Sequence, residues 1–545
     1  MGEAGTAPVV ATQFKRLTRI EATVSRMVSR KRLCILGFAL FPVMLRLALL
    51  PWIPSPQPVI HDEFSNLLAG DTFASGRLTN PPHPYWVFFE SFHIIQQPTY
   101  MSKYPPLAGI ILAVGQCAFG LPWIGILLSV GFLCGALAWA MYNWLPPFWA
   151  LAGSILAVLK IGILSYWSES YWGGTSAAIG GTLLVGSLPV MIRRPNSYSG
   201  FAAAVGIALL ANSRPLEGLL LTVFCLGYAA LKIPHRRGTP GERLRTLSRG
   251  ILIPVLVTMV PVGTWMAYYN LRVTGNALIM PYVAHERQYA SATPMWWVKP
   301  RTLVYHHEIM RDFWVGWDAS KKAFQRDHFL LTRLPSVVSV EQFYLGLPLL
   351  LLIAVNAKTI AKSRRARVAF WLLMAFLAGL SLELEFLPHY AAPASVLFYI
   401  VAASALRALR HWKPQRTWVR PLIGTAMAGI AVELVLAAFQ PAHRFLFDKR
   451  DFQAQRAHVL SFLDRVHGKQ LVFVRYGPKH DIHHEWVYNR ADIDSSAIVW
   501  ARSMGQKQDA KLMAYYPERH VWLLEENGTE QISPYNNGSN TVVPE

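Results

Sequence analysis

The sequence predicts an all-α polytopic membrane domain of about eleven transmembrane helices, followed by a small C-terminal α/β module. Three observations predict it. Of the 545 residues, 53% are hydrophobic and 15% charged, whereas ordinary soluble domains run about 25% charged. Apolar runs recur at or near the roughly 18–20 residues that cross about 30 Å of hydrocarbon. Beyond residue 440 the composition turns soluble, with amphipathic and strand-like stretches. The cysteines Cys34, Cys117, Cys134 and Cys225 all lie inside apolar runs. That excludes a disulfide scaffold and a paired-cysteine zinc site. The 19 Trp, 21 Tyr and 27 Phe suit aromatic belts at a bilayer interface.

The net charge of +21 invites a nucleic-acid reading, but its distribution excludes one. Five short segments hold 25 of the 52 basic residues and only three acids, Glu3, Glu21 and Glu242. They are 1–32, Arg193–Arg194, 232–249, 358–367 and 407–420. Basic charge confined to loops between apolar spans is the positive-inside pattern, so these segments are expected on the cytoplasmic side.

In chain order, spans are expected at 33–53, 122–144, 147–165, 171–192, 200–212, 216–232, 250–271, 337–356, 368–386, 389–408 and 418–439. The run Pro105–Gly120 is short and opens on two prolines. A full crossing there would turn every later basic loop outward, so it is expected as a re-entrant or interfacial helix. The layout is then a cytoplasmic N-terminus (1–32), a membrane domain (33–440) and an outer C-terminal module (441–545). Long outer loops are expected at 54–121 and 272–336, with insertion through span one as an uncleaved anchor in the cytoplasmic membrane. In the module, a helix at 451–467, strands at 471–474, 497–500 and 520–524, and a helix at 505–515 precede an Asn/Gly/Ser-rich tail expected to be disordered.

The outer segments collect the chemistry. His61-Asp62-Glu63 follows the first span. It reads either as a solvated loop with Asp62 capping a helix, or as a general base able to take the proton of an acceptor hydroxyl. Ser102-Lys103-Tyr104-Pro105-Pro106-Leu107 opens the re-entrant helix. Lys103 there is either a snorkelling side chain or the point charge that holds a lipid phosphate. Arg214, Arg272, His389 and Tyr390 are candidates for the same anion. Arg46, Lys160 and Glu433 are intramembrane charges with either a functional or an ion-pairing reading, such as Lys160 with Glu433. Asp62, Glu63 and Glu169 have the hard oxygens of a divalent-cation site for Mg2+, Mn2+ or Ca2+. His480, His483, His484 and Glu485 lack helix-borne metal-ligand spacing and read as a surface polar loop. Asn527 and Asn537 open glycosylation triplets.

These motifs resemble those of the GT-C glycosyltransferases. The shared features are an acidic pair soon after the first span, a Lys-x-Pro-Pro-Leu element before an interfacial helix, and a Pro-His-Tyr-x-x-Pro entry to a late span. The layout over about 33–440 is similar to that of protein O-mannosyltransferases and of the aminoarabinose transferases that modify lipid A. The resemblance implies inverting transfer of a sugar from a polyprenyl-phosphate donor to a protein, lipid or polysaccharide acceptor on the outer face. It implies Asp62 as base, Glu63 as its companion and Lys103 as the phosphate-side lysine. The chain departs from the pattern in the extra Tyr104, and in His389-Tyr390 where many relatives carry Arg-Tyr. A transporter or flippase, a glycan ligase and a non-catalytic scaffold are the rival readings. Polar residues gathered on one face, rather than at mid-membrane, favour the enzyme.

Overall fold

The structure, a computed structural model, describes residues 26, 28–232, 239–408, 428, 429, 432 and 450–535. Glu433, the basic segment beyond Ala408, most of the span at 418–439 and the Asn537 triplet lie outside the described residues. Five described helices are long and apolar enough to cross a membrane, or six if one bent pair counts as a span. They include Pro122–Trp144, Thr175–Arg193, Pro215–Lys232 and the continuous helical run Pro240–Thr274. The chain is a multi-pass membrane protein.

Helix α1 (Lys31–Ala48) packs beside Pro122–Trp144, whose Leu127, Val130, Leu133, Leu137 and Met141 are fully buried. The span expected at 337–356 is not one straight helix. It breaks into Phe329–Tyr344 and Leu347–Val355, which meet at 95°. Gly346 turns the chain there at φ +77, a region that favours glycine, and Pro348 follows as a helix start.

Two short helices come next in the chain. Helix α2 (His61–Ala74) follows the proline-rich exit of α1, and α3 (Pro106–Phe119) is apolar but only 14 residues long. Between them, β1 (Ile94–Ile95) and β2 (Met101–Ser102) form a two-residue antiparallel ladder. The helices α2 and α3 touch backbone to backbone. A Cβ on Gly109 would stand 2.6 Å from the Cβ of Ala69, so only glycine fits.

The C-terminal module is a four-stranded sheet of order β4-β3-β5-β6, comprising β3 (Gln470–Tyr476), β4 (Ile498–Arg502), β5 (His520–Glu526) and β6 (Glu530–Pro534). The strand β3 runs parallel to β4 and β5, and β6 returns antiparallel. Alternation along β3 sends side chains to two faces. Val472 and Val474 meet Phe452, Val459 and Leu463 of helix Arg450–Arg465. Leu471 and Phe473 meet Leu512 and Tyr516 at helix Gln506–Tyr515, but also Phe64 and Leu68 of α2 and Phe88 of the segment between α2 and β1. The module therefore shares its core with the segment around α2. The strand β6 replaces the start of the expected disordered tail. It is an edge strand with little apolar alternation, joined to β5 through Gly528 at φ +87.

Gly109→Val is expected to force α2 and α3 apart at a cost of about 1–3 kcal/mol. The check is the thermal unfolding midpoint of the protein in detergent, which should fall; an unchanged midpoint would contradict the packing.

Candidate active site

Successive residues of a helix point about 100° apart, and the first three residues of α2 meet three different parts of the molecule. His61 faces the C-terminal module, with Nδ1 2.9 Å from the Tyr488 hydroxyl. Asp62 faces a cluster of polar and aromatic side chains, here termed the chamber. Its Oδ1 accepts the Tyr104 hydroxyl, and its Oδ2 stands 3.8 Å from His93 Nε2. Glu63 is buried, at 1% exposure. Its Oε2 accepts the backbone N–H groups of Val59 (2.8 Å) and Ile60 (3.2 Å), and its Oε1 that of Tyr171 (2.9 Å).

Glu63 thus ties the start of α2 to the turn that precedes Thr175–Arg193. Glu169 belongs to the same turn and pairs with Arg46 of α1 through two bonds of 2.7 and 2.8 Å. Arg46 also donates to the carbonyls of Ile53 and Pro54 and lies 4.7 Å from the Trp123 ring centroid. Of the three carboxylates that could offer oxygens to a cation, Asp62, Glu63 and Glu169, Glu63 is occupied by backbone N–H groups and Glu169 by Arg46. Among the described residues, no group of three or more His, Cys, Asp or Glu could hold a metal.

Several elements wall the chamber that Asp62 faces. His93 sits at φ +64, a backbone conformation rare outside glycine that costs about 1–3 kcal/mol and often marks a functional site. Its carbonyl is held by Ser65 Oγ at 2.6 Å and by the Lys103 N–H at 3.1 Å. Those bonds aim the imidazole at Asp62 and bring Lys103 beside it. The Lys103 ammonium lies 5.1 Å from the Tyr104 ring centroid and 5.9 Å from that of Trp314. Burial lowers its pKa, opposed by the charges of Asp62 and Glu286. Burial also holds His93 and His285 well below the ordinary histidine range, and Lys103 adds to the shift. Both imidazoles are therefore neutral at pH 7.

The other cations near the chamber are already paired. Lys322 holds Asp318 at 2.9 Å, Lys321 holds Glu385 at 2.9 Å, and Arg214 holds Glu217 at 2.9 Å. Among the described residues, no carboxylate stands within 4.0 Å of Lys103 Nζ. Arg214 also stacks on Tyr390, 4.3 Å from its ring centroid. His389 packs on Trp172 at 4.5 Å, with Nδ1 3.3 Å from the Tyr166 hydroxyl. The turn at 166–172 and the late-span entry at 388–390 are thus brought together. Arg272 stands apart from them: it is exposed and bonded to Tyr268 at 3.2 Å. Lys160 donates to the Gln342 carbonyl.

Sequence reasoning missed His93, His285, Glu286, Asp318 and Lys322. Only the isolated φ of His93 marks it, and that is a structural signal. Tyr104 was visible in the Lys-Tyr-Pro-Pro element but gave no sign that its hydroxyl reaches Asp62. The loop at 480–485 is not the solvated one expected. Glu485 is 1% exposed and held by Arg502 of β4 at 2.6 Å and by the Tyr476 hydroxyl of β3, and His480 meets Glu526.

Two consequences are measurable. Glu63→Gln leaves backbone donors facing an amide and should lower stability by about 1–3 kcal/mol in thermal or denaturant unfolding. Asp62→Asn, in the chamber, should leave that midpoint unchanged. Glu383, in the turn before the late span, is pushed up to about 8 by burial and by neighbouring Glu217. A carboxyl raised on folding stabilises fully below its ordinary pKa, and that stability is lost as pH rises through the raised value. The unfolding midpoint should therefore fall as pH rises from about 4.5 to about 8 and level off above, and Glu383→Gln should flatten the fall. An equal slope in both proteins would remove Glu383 as its source.

No protein-family model matches the chain, and no curated protein does. Solved structures do match in fold. The aminoarabinose transferase ArnT from Cupriavidus metallidurans, bound to undecaprenyl phosphate, is 13% identical with a TM-score of 0.54, over 90% of this chain and 92% of that one. Its apo form is 13% identical with a TM-score of 0.53, over 90% and 93%. An oligosaccharyltransferase from Archaeoglobus fulgidus is 10% identical with a TM-score of 0.43, over 90% and 68%. The likeness to ArnT extends over nearly the whole of both chains, and this protein has the fold of the GT-C glycosyltransferases.

Proposed function

We propose that this protein is an inverting glycosyltransferase that moves a sugar from a polyprenyl-phosphate donor to an acceptor hydroxyl at the outer face of the cytoplasmic membrane. The observation that carries the reading is the pairing pattern of the chamber. Asp62 and Lys103 each lack a salt bridge to Lys, Arg, Asp or Glu among the described residues, and one stretch of backbone at His93 joins them. Undecaprenyl phosphate bound to ArnT, in the same fold, supports a lipid phosphate as the donor's leaving group.

Single displacement needs no enzyme nucleophile. The acceptor oxygen attacks the anomeric carbon as the bond from that carbon to the phosphate oxygen breaks, and the phosphate leaves with the electron pair. Asp62 Oδ2 takes the acceptor proton, while the Tyr104 hydroxyl holds Oδ1 and fixes the carboxylate's orientation. Lys103 meets the charge that develops on the phosphate, in a site where burial strengthens the interaction. Arg214, Tyr390 and His389 line the donor side at the late-span entry. Arg46 with Glu169, and Glu63 with its backbone donors, hold the frame.

The positive-inside distribution of the basic loops supports a cytoplasmic N-terminus, with the chamber and the C-terminal module on the opposite face. The domain limits then follow the membrane domain at 33–440 and the module at 441–545. The protein reconstituted in lipid with a panel of polyprenyl-phosphate sugars and a membrane extract as acceptor should release polyprenyl phosphate. Asp62→Asn should lower that rate by about 10²–10⁴-fold, the range for a lost general base. Lys103→Ala should lower it too, with weaker donor binding. Full activity in Asp62→Asn would overturn the mechanism. Donor that neither turns over nor stabilises the wild-type protein would overturn the transferase reading in favour of a transporter or scaffold.

A further inference from the structure

The C-terminal module reaches the candidate catalytic helix along a single stripe. His61, Phe64, Leu68 and Asp71 lie at helical spacing on one face of α2, and residues 488–491 run beside them. At the N-terminal end the Tyr488 hydroxyl meets His61 Nδ1 at 2.9 Å, and the Tyr488 ring stacks on Phe64 at 4.2 Å and 5°. At the C-terminal end Arg490 holds Asp71 at 2.7 Å, and the N–H of Ala491 donates to the same carboxylate at 2.9 Å. Leu68, between them, shares a core with Tyr488 and Ala491. Tyr100, just before β2, donates to the Asn489 carbonyl at 2.9 Å, so the hairpin that carries His93 and leads to Lys103 is held by the same segment.

That segment is anchored to the sheet. Glu485, five residues before Arg490, is held by Arg502 of β4 at 2.6 Å and by the N–H of Val487 at 2.8 Å. Asn489 makes two bonds to the backbone of Trp500, also in β4, at 2.8 and 2.9 Å. Tyr488 lies between these two anchors and faces the helix. A side chain fixed to a sheet on one side and to the residue before Asp62 on the other sets where α2 begins. A shift of its first turn would carry Asp62 away from Tyr104 and His93.

We infer that the C-terminal module is a splint for the catalytic helix, with Tyr488 the positioning residue that fixes Asp62 through His61 and Phe64, and Arg490 and Ala491 the clamp at the far end. The module is thereby a working part of the transfer site and not an accessory that carries the acceptor. The role of Asp62 rests on the proposed glycosyl transfer; the splint itself does not.

The test uses the full-length protein in lipid and two variants. Tyr488→Phe removes the hydroxyl and keeps the stack, while Arg490→Ala opens the clamp at an exposed position. Amide hydrogen exchange of 61–74 is read against that of 122–144. Tyr488→Phe should raise exchange at 61–66 at least fivefold, Arg490→Ala should raise it at 69–74, and neither should move 122–144. In the transfer assay, Tyr488→Phe should lower kcat about tenfold and leave the donor and acceptor KM within twofold. Unchanged exchange in both variants would overturn the splint. Unchanged kcat with a raised acceptor KM would also overturn it and make the module an acceptor-binding domain. Were the wild-type protein inactive with every donor, the exchange result would still decide the splint, and only the transferase reading would fall.

Discussion

One buried carboxylate fixes the geometry on which the candidate site depends. Glu63 accepts three backbone N–H groups, two from the segment entering α2 and one from the turn before the helix Thr175–Arg193. Water is excluded there, and a buried carboxylate is tolerated only where its lone pairs are met. The start of α2 is therefore locked to the membrane helices through that turn, which Arg46 and Glu169 hold in place. With Glu63 facing inward, the helical repeat obliges Asp62 to face the chamber and His61 to face the C-terminal module. Three neighbouring residues thus serve as anchor, reactive group and relay.

The same logic of pairing separates structure from chemistry elsewhere. Buried charges in opposite pairs, such as Lys322 with Asp318 and Arg502 with Glu485, offset each other and hold loops together. Asp62 and Lys103 are left with neutral partners: a phenol and an imidazole for the first, two aromatic faces for the second. An unpaired acid near an unpaired base fits the proposed reaction, which moves one proton and sheds one phosphate. The left-handed backbone of His93, which brings the two together, is local strain that the surrounding hydrogen bonds sustain.

Much of this was legible in the sequence. The long apolar helices, the short proline-led helix α3, and the order of strands β3 to β5 follow from apolar run length and periodicity. So does the prominence of Asp62 and Lys103, since charged residues at a membrane exit need a partner or a task. What the sequence hid was direction. In His61-Asp62-Glu63 the two acids read as a pair, yet a 100° step separates them, and nothing local says that Tyr171 waits for Glu63. Glu169 read as a free ligand because its partner Arg46 lies 123 positions away. The bend at Gly346 was hidden inside an apolar run of ordinary span length, and β6 lacks the alternation that marks buried strands. His93 could not be found at all, because its role comes from a backbone conformation set by Ser65 and Lys103.

The central claim, that Asp62 and Lys103 flank one donor site set by the start of α2, is tested most directly by a structure of the protein bound to polyprenyl phosphate. The account predicts the phosphate within hydrogen-bond reach of Lys103 Nζ, on the same side of α2 as Asp62. A phosphate seated instead at Arg272, away from the chamber, would contradict it.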